Sequence, residues 1–320
     1  MITENAPITA PKLWGAIIQR SPDTIVATTG VHYFSASHGV PSRNIPLSEH
    51  KGMMLEEHLL EDRLPNVEED HKIGIPFPKR TPKAEFAMGT PVYVWTGDHG
   101  DPRDQKVWAK TICYENEANL KQMKKWKIVQ PMAMLMADLD CANTPENLHR
   151  VTDVLQETQT KSRRSLLDTG LGFHFIDEEL FEPIYYPQHL GKLINDFVPT
   201  APQGRKHIIE AFGNDLQKHW WNPKRLQKWA WDALRTFKHY DDASGDGIPF
   251  IIDMRHAAHS VIEYLRFMAN ETGGWGFLRI SGKSLTDNPP IVVARQRPKK
   301  EIELFNPSLL KTSTSQIRLW

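Results

Sequence analysis

Two aspartates separated by one residue follow an apolar run in residues 132–140, Met-Ala-Met-Leu-Met-Ala-Asp-Leu-Asp. The apolar run predicts a buried strand, and because alternate side chains of a strand share a face, Asp138 and Asp140 should project to the same side. Two carboxylates held that close repel each other unless a proton or a cation lies between them. Hard oxygen ligands suit Mg²⁺ or Mn²⁺, so the pair is a candidate metal site; a strand that ends in two solvated acids has the same pattern.

Two later segments carry side chains that could complete such a site. His174 follows the sequence Thr-Gly-Leu-Gly-Phe, and a strand, a tight turn and a second strand would bring it onto the sheet near the carboxylates. Residues 248–253 form another apolar run that ends in an acid, Asp253. Two-metal phosphoryl transfer uses a set of this kind, in which shared carboxylates bridge cations that activate a hydroxyl and neutralise the leaving pyrophosphate.

The order of these segments resembles the archaeo-eukaryotic primase superfamily, the group of primases and primase-polymerases. Its members have an apolar strand that ends in Asp-X-Asp, then a Ser/Thr-Gly-X-Gly-X-His strand, then an apolar strand that ends in Asp. In this chain those segments are residues 132–140, 169–174 and 248–253, and the resemblance covers about residues 91–294. The gap of 79 residues between His174 and Asp253 (253 − 174) is long for the compact members, and the chain has no zinc-stem cluster of cysteine and histidine.

The resemblance implies a metal-dependent nucleotidyltransferase, in which a 3′-hydroxyl attacks the α-phosphate of an NTP or a dNTP. Its implied partners are nucleoside triphosphates, a DNA template and primer, and other replication proteins. It implies that three acids hold the catalytic Mg²⁺ or Mn²⁺, namely Asp138, Asp140 and Asp253. His174 would bind the incoming nucleotide. Arg279 and Lys283 belong to a segment similar to the arginine and serine-glycine stretch after the third acid of such enzymes, where they would contact phosphate.

The resemblance and the order of predicted elements together indicate an α+β fold, with a central mixed or antiparallel sheet flanked by helices. Residues 1–90 should form an N-terminal extension that is rich in proline and weakly patterned. Residues 91–300 should form the primase-polymerase-like catalytic domain, with a helical insertion at about residues 188–240. Residues 301–320 should form a C-terminal tail on the surface.

Helices and strands are predicted from apolar periodicity and from start signals. Thr144 followed by Pro145 predicts the start of a helix over residues 145–159. Further helices are predicted at residues 55–70, 117–126, 188–197, 205–212, 226–240 and 255–267. Further strands are predicted at residues 24–29, 32–35, 91–96, 107–111, 275–280 and 291–294. Four tryptophans of the insertion are interpreted as packing residues rather than as a base-stacking platform, namely Trp220, Trp221, Trp229 and Trp231.

The composition bounds the setting and the partners of the protein. With 39 basic and 39 acidic residues among 320, no global field attracts nucleic acid or an anionic membrane, so any such binding must come from local patches. No apolar run approaches the roughly 20 residues of a membrane span, so we expect no membrane partner. The two cysteines, Cys113 and Cys141, are too few for a disulfide framework, which favours a reducing, cytoplasmic setting.

A calcium site is an alternative interpretation of the third acid. Residues 242–253 match positions 1, 3, 5, 6 and 12 of an EF-hand loop. Pro249 and an aspartate in place of the final glutamate argue against it, and an Asp/Gly turn before a strand has the same composition. His256 and His259, three apart on a predicted helix, could also ligate a metal, although a solvated helix surface gives the same spacing.

Three other functions also stay open. A phosphatase of the haloacid dehalogenase type would use the Asp-X-Asp as its nucleophile, with Asp241 and Asp242 as ligands of Mg²⁺. A glycosyltransferase would use the same Asp-X-Asp to hold the metal of a nucleotide-sugar. A non-catalytic replication or plasmid-maintenance protein would keep the fold for binding alone.

Overall fold

The computed structural model describes residues 7–10, 13, 17, 25–33, 45–46, 84–95, 129–158, 160–237, 250–270, 274–279, 290–298 and 302–305. The chain divides into two compact units, Met1–Met132 with Phe277–Ile291, and Ala133–Gly276 with Val292–Trp320. This division does not test the domain boundaries expected near residues 90 and 300, which stay predictions.

The first unit contains antiparallel strand pairs. Its strands are β1 (Ile25–Tyr33), β2 (Ile45–Pro46), β3 (Ala84–Trp95) and the first residues of β4 (Val129–Leu139). β1 pairs with β2 and with β3, and β3 pairs with β4 so that Val92 lies opposite Met132. The two strands predicted near residues 24–29 and 32–35 therefore belong to one strand, whose register with β3 shifts between Ala27 and Thr29.

The second unit is built on a five-stranded antiparallel sheet flanked by helices, which confirms the α+β class. Its strand order is β4, β6, β5, β8, β9. The bounds are β5 (Arg164–Asp168), β6 (Phe173–Phe181), β8 (Ile291–Gln296) and β9 (Ile302–Leu304), and β7 (Trp275–Arg279) precedes β8 in the chain. From Ala133 to Ala137 every side chain of β4 is buried, which explains why its sequence is a continuous apolar run rather than an alternating one.

The helices of the second unit confirm most of the helical predictions. They are α1 (Pro145–Glu157), α2 (Tyr186–Phe197), α3 (Lys206–His219), α4 (Pro223–Thr236) and α5 (Met254–Asn270). The side chain of Thr144 accepts the N–H of Asn147 at 3.2 Å, and Pro145 occupies the first turn, so α1 begins as predicted. α2, α3 and α4 lie between His174 and Asp253, where the helical insertion is expected.

One sequence prediction in the second unit is wrong. In the described part of the predicted strand 248–253, Ile252 makes a single bridge to Leu139, because α5 begins immediately afterwards at Met254. Within the expected C-terminal tail, Ile302–Leu304 form strand β9, which pairs with β8 through backbone bonds that side-chain patterning does not reveal. The predicted elements at residues 55–70, 107–111 and 117–126 lie outside the described residues.

The tryptophans of the insertion divide into buried and exposed members. Trp229 is buried, and its Nε1 donates to the carbonyl of Phe212 at 2.9 Å. Trp221 and Trp231 are 61% and 50% exposed, so their interpretation as packing residues is wrong. The helical phase of α4 turns Trp231 away from the buried side that Trp229 occupies.

An aromatic cluster anchors α5 within the second unit. The ring of the fully buried Trp275 lies 5.5 Å from Tyr264 and 5.0 Å from Phe267, both on α5. It also lies 5.5 Å from Tyr186 at the start of α2. Edge-to-face contacts of this kind add to the burial of large apolar surfaces, so the cluster holds the helix that follows Asp253.

None of the helices in the described part of the chain is long and apolar enough to cross a membrane.

We expect Gly191→Ala to lower the free energy of unfolding by about 1–3 kcal/mol, because α2 and α3 touch at this residue. A Cβ at Gly191 would lie 2.6 Å from the carbonyl oxygen of Gly213 and 2.8 Å from the Cβ of Leu216, neither of which can rotate away. Urea unfolding followed by circular dichroism measures the change. Gly204→Ala is the control, because a Cβ there meets nothing within 4 Å. Equal urea midpoints for both variants would contradict the close helix contact.

Candidate functional site

Three of the predicted site residues lie side by side across the end of strand β4. β4 and β6 are antiparallel with Asp138 directly opposite His174. On the other edge of β4 the N–H of Asp253 donates to the carbonyl of Asp138 at 2.9 Å. The N–H of Asp140 donates to the carbonyl of Ile251 at 2.6 Å. These two bonds flank the bridge between Leu139 and Ile252, so Asp253 also stands opposite Asp138.

This register puts the predicted acids and the histidine on one face. Residues directly opposite each other on antiparallel segments point to the same side, so Asp253, Asp138 and His174 form what we call the acidic row. Asp140 projects from the same face, because it lies two residues beyond Asp138. The expectation that His174 lies on the sheet near the carboxylates is confirmed.

The acidic row changes from exposed to buried along its length. The side chain of Asp138 is 41% exposed, whereas that of His174 is 9% exposed. Beyond His174 the next residue across the sheet is Leu167 of β5, which is fully buried. The Nε2 of His174 lies 3.6 Å from an Oδ1 of Asp138, which is too long for a hydrogen bond but close enough for an ion pair when the ring is protonated. Solvent therefore reaches the carboxylates more readily than the ring.

Asp253 has a structural task in addition to its place in the row. Its Oδ1 accepts the backbone N–H of Arg255 at 2.8 Å and that of His256 at 2.9 Å, so it caps the start of α5. The positive end of the helix dipole favours a carboxylate at this position. One carboxylate oxygen is thus committed to the helix, and Oδ2 is the oxygen that could face a ligand.

The cap also bears on the calcium interpretation of residues 242–253. The last position of an EF-hand loop needs both oxygens of its carboxylate for the ion, and Oδ1 of Asp253 is already bonded to two amides. Loop positions 242–249 lie outside the described residues, as do Asp241 and Asp242 of the phosphatase interpretation.

The turn before His174 is organised by an acid that sequence reasoning missed. The buried Asp168 accepts the side-chain amide of Asn143 at 3.0 Å and the N–H of Gly170 at 2.7 Å. A further hydrogen bond stabilises the turn, in which the Oγ1 of Thr169 accepts the N–H of Gly172 at 3.1 Å. Gly170 has a φ of 84°, the left-handed region that favours glycine. The sequence feature that could have revealed Asp168 is its place at the end of the apolar Leu166-Leu167 run, directly before the Thr-Gly sequence.

This turn packs directly on the backbone that carries Asp140. A Cβ at Gly172 would lie 2.9 Å from the carbonyl oxygen of Cys141 and 3.1 Å from that of Leu139. Cβ contacts under 3.0 Å are essentially not tolerated, so a residue without a side chain is needed there. The second glycine of the Thr-Gly-Leu-Gly sequence therefore serves a close approach of two chain segments.

A second polar cluster on the same face of the sheet was also missed. Ser165 lies opposite Ile176, which is two residues from His174, so it shares the face of the acidic row. Its Oγ donates to Glu178 Oε1 at 2.7 Å and accepts from Arg295 Nε at 3.2 Å. All three side chains are buried or nearly so, and Arg295 Nε lies 3.8 Å from Glu178 Oε1. The cluster joins β8 to β5 and β6 through a compensated charge pair.

The charges of both acids of the Asp-X-Asp affect the pKa of the Cys141 thiol. Burial is the main cause that raises the pKa of Cys141 to about 12. Arg150 lowers this pKa, while the charges of Asp140 and Asp138 raise it further. Cys141 is a free thiol.

The remaining candidate ligands do not join the acidic row in the described part of the structure. Within that part no group of three or more His, Cys, Asp or Glu side chains is arranged to hold a metal ion. His256 and His259 lie on α5 without forming such a group. Arg279 ends β7 and its side chain is outside the described residues, as is all of Lys283.

We expect Gly172→Ala to lower the free energy of unfolding by about 1–3 kcal/mol, since its Cβ would meet backbone oxygens on the Asp140 segment. Urea unfolding measures this change. Gly170→Asn is the matched control within the same turn: a Cβ there meets nothing within 4 Å, and asparagine tolerates a positive φ. A Gly172→Ala protein as stable as the control would show that the turn does not press on the strand end.

We expect Cys141 to react slowly with iodoacetamide at pH 8, because the thiolate is the reactive form and a pKa of about 12 leaves roughly one thiol in ten thousand ionised. The raised pKa moves ionisation to higher pH, so the rate should rise about tenfold per pH unit above pH 8. Mass spectrometry of a Cys113→Ser protein isolates the reaction of Cys141. Asp140→Asn removes a charge that raises the pKa and should speed labelling. Labelling as fast in the folded as in the urea-unfolded protein would refute the burial of this thiol.

No protein family, no curated protein and no solved structure matches this chain.

Proposed function

We propose that this chain is a metal-dependent nucleotidyltransferase of the primase-polymerase type. In the proposed reaction the 3′-hydroxyl of a primer strand attacks the α-phosphate of an NTP or dNTP, and pyrophosphate leaves. The observation that carries the proposal is the acidic row: Asp253, Asp138 and His174, which are far apart in sequence, stand side by side on one sheet face. This is the set of residue types that the sequence resemblance implies for such a reaction.

The donor atoms of the row fit a hard divalent cation. Asp138 and Asp140 offer carboxylate oxygens at an accessible strand end, and Asp253 offers Oδ2. Bound there, Mg²⁺ or Mn²⁺ would neutralise charge on the phosphates and lower the pKa of the attacking hydroxyl. In the described part of the structure these side chains do not form a group of three or more metal ligands, so ligation would require them to move.

The electrostatics of the row also favour a cation. Asp138, Asp253 and the neighbouring Asp140 give one face three negative charges, which repel one another. The start of α5 compensates Asp253, and His174 can compensate Asp138 when its ring is protonated. With Asp140 beside it, the row repels phosphate unless a positive ion comes between them.

His174 is suited to positioning rather than to proton transfer with solvent. Its ring is nearly buried and lies on β6 between Asp138 and Leu167. This fixes the direction in which the ring faces, and a protonated imidazole can donate a charge-assisted hydrogen bond to a phosphate oxygen. In the proposed reaction it holds the triphosphate while the carboxylates act on the reacting centre.

Primer extension with labelled nucleotides and a DNA template tests the proposal. Asp138→Asn and Asp140→Asn should each reduce extension by at least about 100-fold, since each removes a charged cation ligand. Asp153→Asn is the matched control, an exposed acid on α1 that should extend like the wild type. His174→Gln should raise the KM for the nucleotide more than it lowers kcat. Release of phosphate from small phosphoesters in place of extension would favour the phosphatase instead.

Substitutions of Asp253 separate its two tasks. Asp253→Asn keeps a good capping oxygen for α5 but loses the charge, so stability should be nearly unchanged while extension falls. Asp253→Ala loses the cap as well, and its unfolding free energy should fall by about 1 kcal/mol. If Asp253→Asn extends primers as well as the wild type, this residue is a helix cap alone.

Two observations favour a binding-only function. Asp253 already has a structural partner for one oxygen, and the described side chains form no ready cation group. Thermal denaturation with increasing Mn²⁺ distinguishes the two: a cation that binds the folded state raises the melting temperature. The enzyme requires a rise that Asp138→Asn removes, whereas a protein that keeps this fold for binding alone need show none.

A further inference from the structure

One face of helix α4 carries aromatic and cationic side chains that the protein core does not use. Lys224, Lys228, Trp231 and Arg235 follow each other at intervals of four, three and four residues, so they share one side of the helix. All four are exposed. Trp221, also exposed, lies just before the capping residue of this helix. We call these five residues the tryptophan-lysine stripe.

The opposite side of α4 fixes the helix in place. Its buried residues are Leu226, Trp229, Ala230 and Ala233. Trp229 is held by its hydrogen bond to Phe212 of α3 and by an edge-to-face contact with the same residue at 5.9 Å. The stripe is therefore turned to solvent by the packing of the helix.

Two tryptophans of the stripe are unusually exposed. Trp221 and Trp231 leave 61% and 50% of their surface in water, although tryptophan is usually among the more buried residue types. An exposed aromatic side chain between cations is a feature of binding surfaces. Tyr185 and Trp220, whose rings lie 5.1 Å apart, extend the aromatic surface next to Trp221.

Helix α4 is positively charged, although the whole chain is neutral. Pro223–Thr236 contains four cationic residues and one acid, a net charge of +3 (4 − 1), whereas the whole chain is neutral. The acid, Asp232, pairs with Lys228 and lies 4.0 Å from Arg235. Lys224 and Arg225 add positive charge at the start of the helix, beyond what one carboxylate neutralises.

We propose that the tryptophan-lysine stripe binds single-stranded nucleic acid. Bases stack on Trp221 and Trp231, and phosphates contact Lys224, Lys228 and Arg235. Stacking on an aromatic ring combined with cations along the backbone is how proteins hold single strands without reading their sequence. This extends the proposed function, because the stripe would be the surface that binds a template strand. It depends on the stripe alone and not on the acidic row.

A lipid surface is the alternative that the stripe fits less well. A helix that lies in a membrane interface buries an apolar face in the lipid, and the apolar face of α4 is already packed inside the protein. The exposed apolar groups of the stripe are two flat aromatic rings without aliphatic neighbours among its five members. Rings between cations suit bases and phosphates.

Fluorescence anisotropy of a fluorescein-labelled oligo(dT) tests the stripe on the full-length protein, in EDTA and without nucleotide. Trp221→Ala and Trp231→Ala should each raise the Kd at least about fivefold, the loss expected for one stacked base. Lys224→Gln should make the slope of log K against log salt shallower by about 0.7, the value for one phosphate contact on a single strand. Trp231→Phe keeps a π face and should retain most of the affinity.

Two controls address other exposed groups. Met268→Ala removes an exposed apolar side chain on α5, and Lys192→Gln removes an exposed cation on α2; both should bind like the wild type. Because binding is measured in EDTA and without nucleotide, failure of the catalytic proposal leaves this one standing. Unchanged oligo(dT) binding by all stripe variants would overturn it. So would binding of the stripe to phosphatidylserine vesicles in the absence of oligo(dT) binding.

Discussion

Two backbone hydrogen bonds, from Asp253 to Asp138 and from Asp140 to Ile251, fix the register on which the candidate site depends. Because side chains alternate between the two faces of a strand, a slip of one residue would turn Asp253 away from the other acids. On its other edge β4 pairs with β6, and that register puts His174 opposite Asp138. One strand end, bonded on both edges, thus brings together side chains that are up to 115 residues apart (253 − 138).

The helix that follows Asp253 explains how its carboxylate is held. A carboxylate that accepts two backbone amides has little rotational freedom. The hydrogen bonds to the start of α5 therefore fix the direction of the other oxygen, Oδ2. The ring of Trp275 between Tyr264 and Phe267 holds that helix, so packing of the core contributes to the direction of Oδ2. This support leaves Oδ2 as the one carboxylate oxygen of Asp253 that the described helix cap does not use.

Much of this arrangement follows from local sequence signals, and the remainder depends on contacts between distant segments. Local sequence predicts three features, because each is determined by neighbours in the chain. They are the apolar run before Asp138, the glycine turn before His174 and the start of α1 at Pro145. The sequence did not reveal β9, since its partner β8 supplies the backbone bonds. Nor did it reveal Asp168 and Ser165 as hydrogen-bond centres, because their partners come from other segments. The exposure of Trp231 required the helical phase of α4 relative to its buried side.

Local separation of charge gives a neutral chain two patches of opposite sign. The acidic row concentrates negative charge on one sheet face, while α4 carries a net positive charge on a face turned to solvent. Each patch acts over about 10 Å at ordinary ionic strength, so the sum of charges over the whole chain says little about either. Under the two proposals, α4 would attract a nucleic acid backbone, whereas phosphate would approach the acidic row only together with a divalent cation.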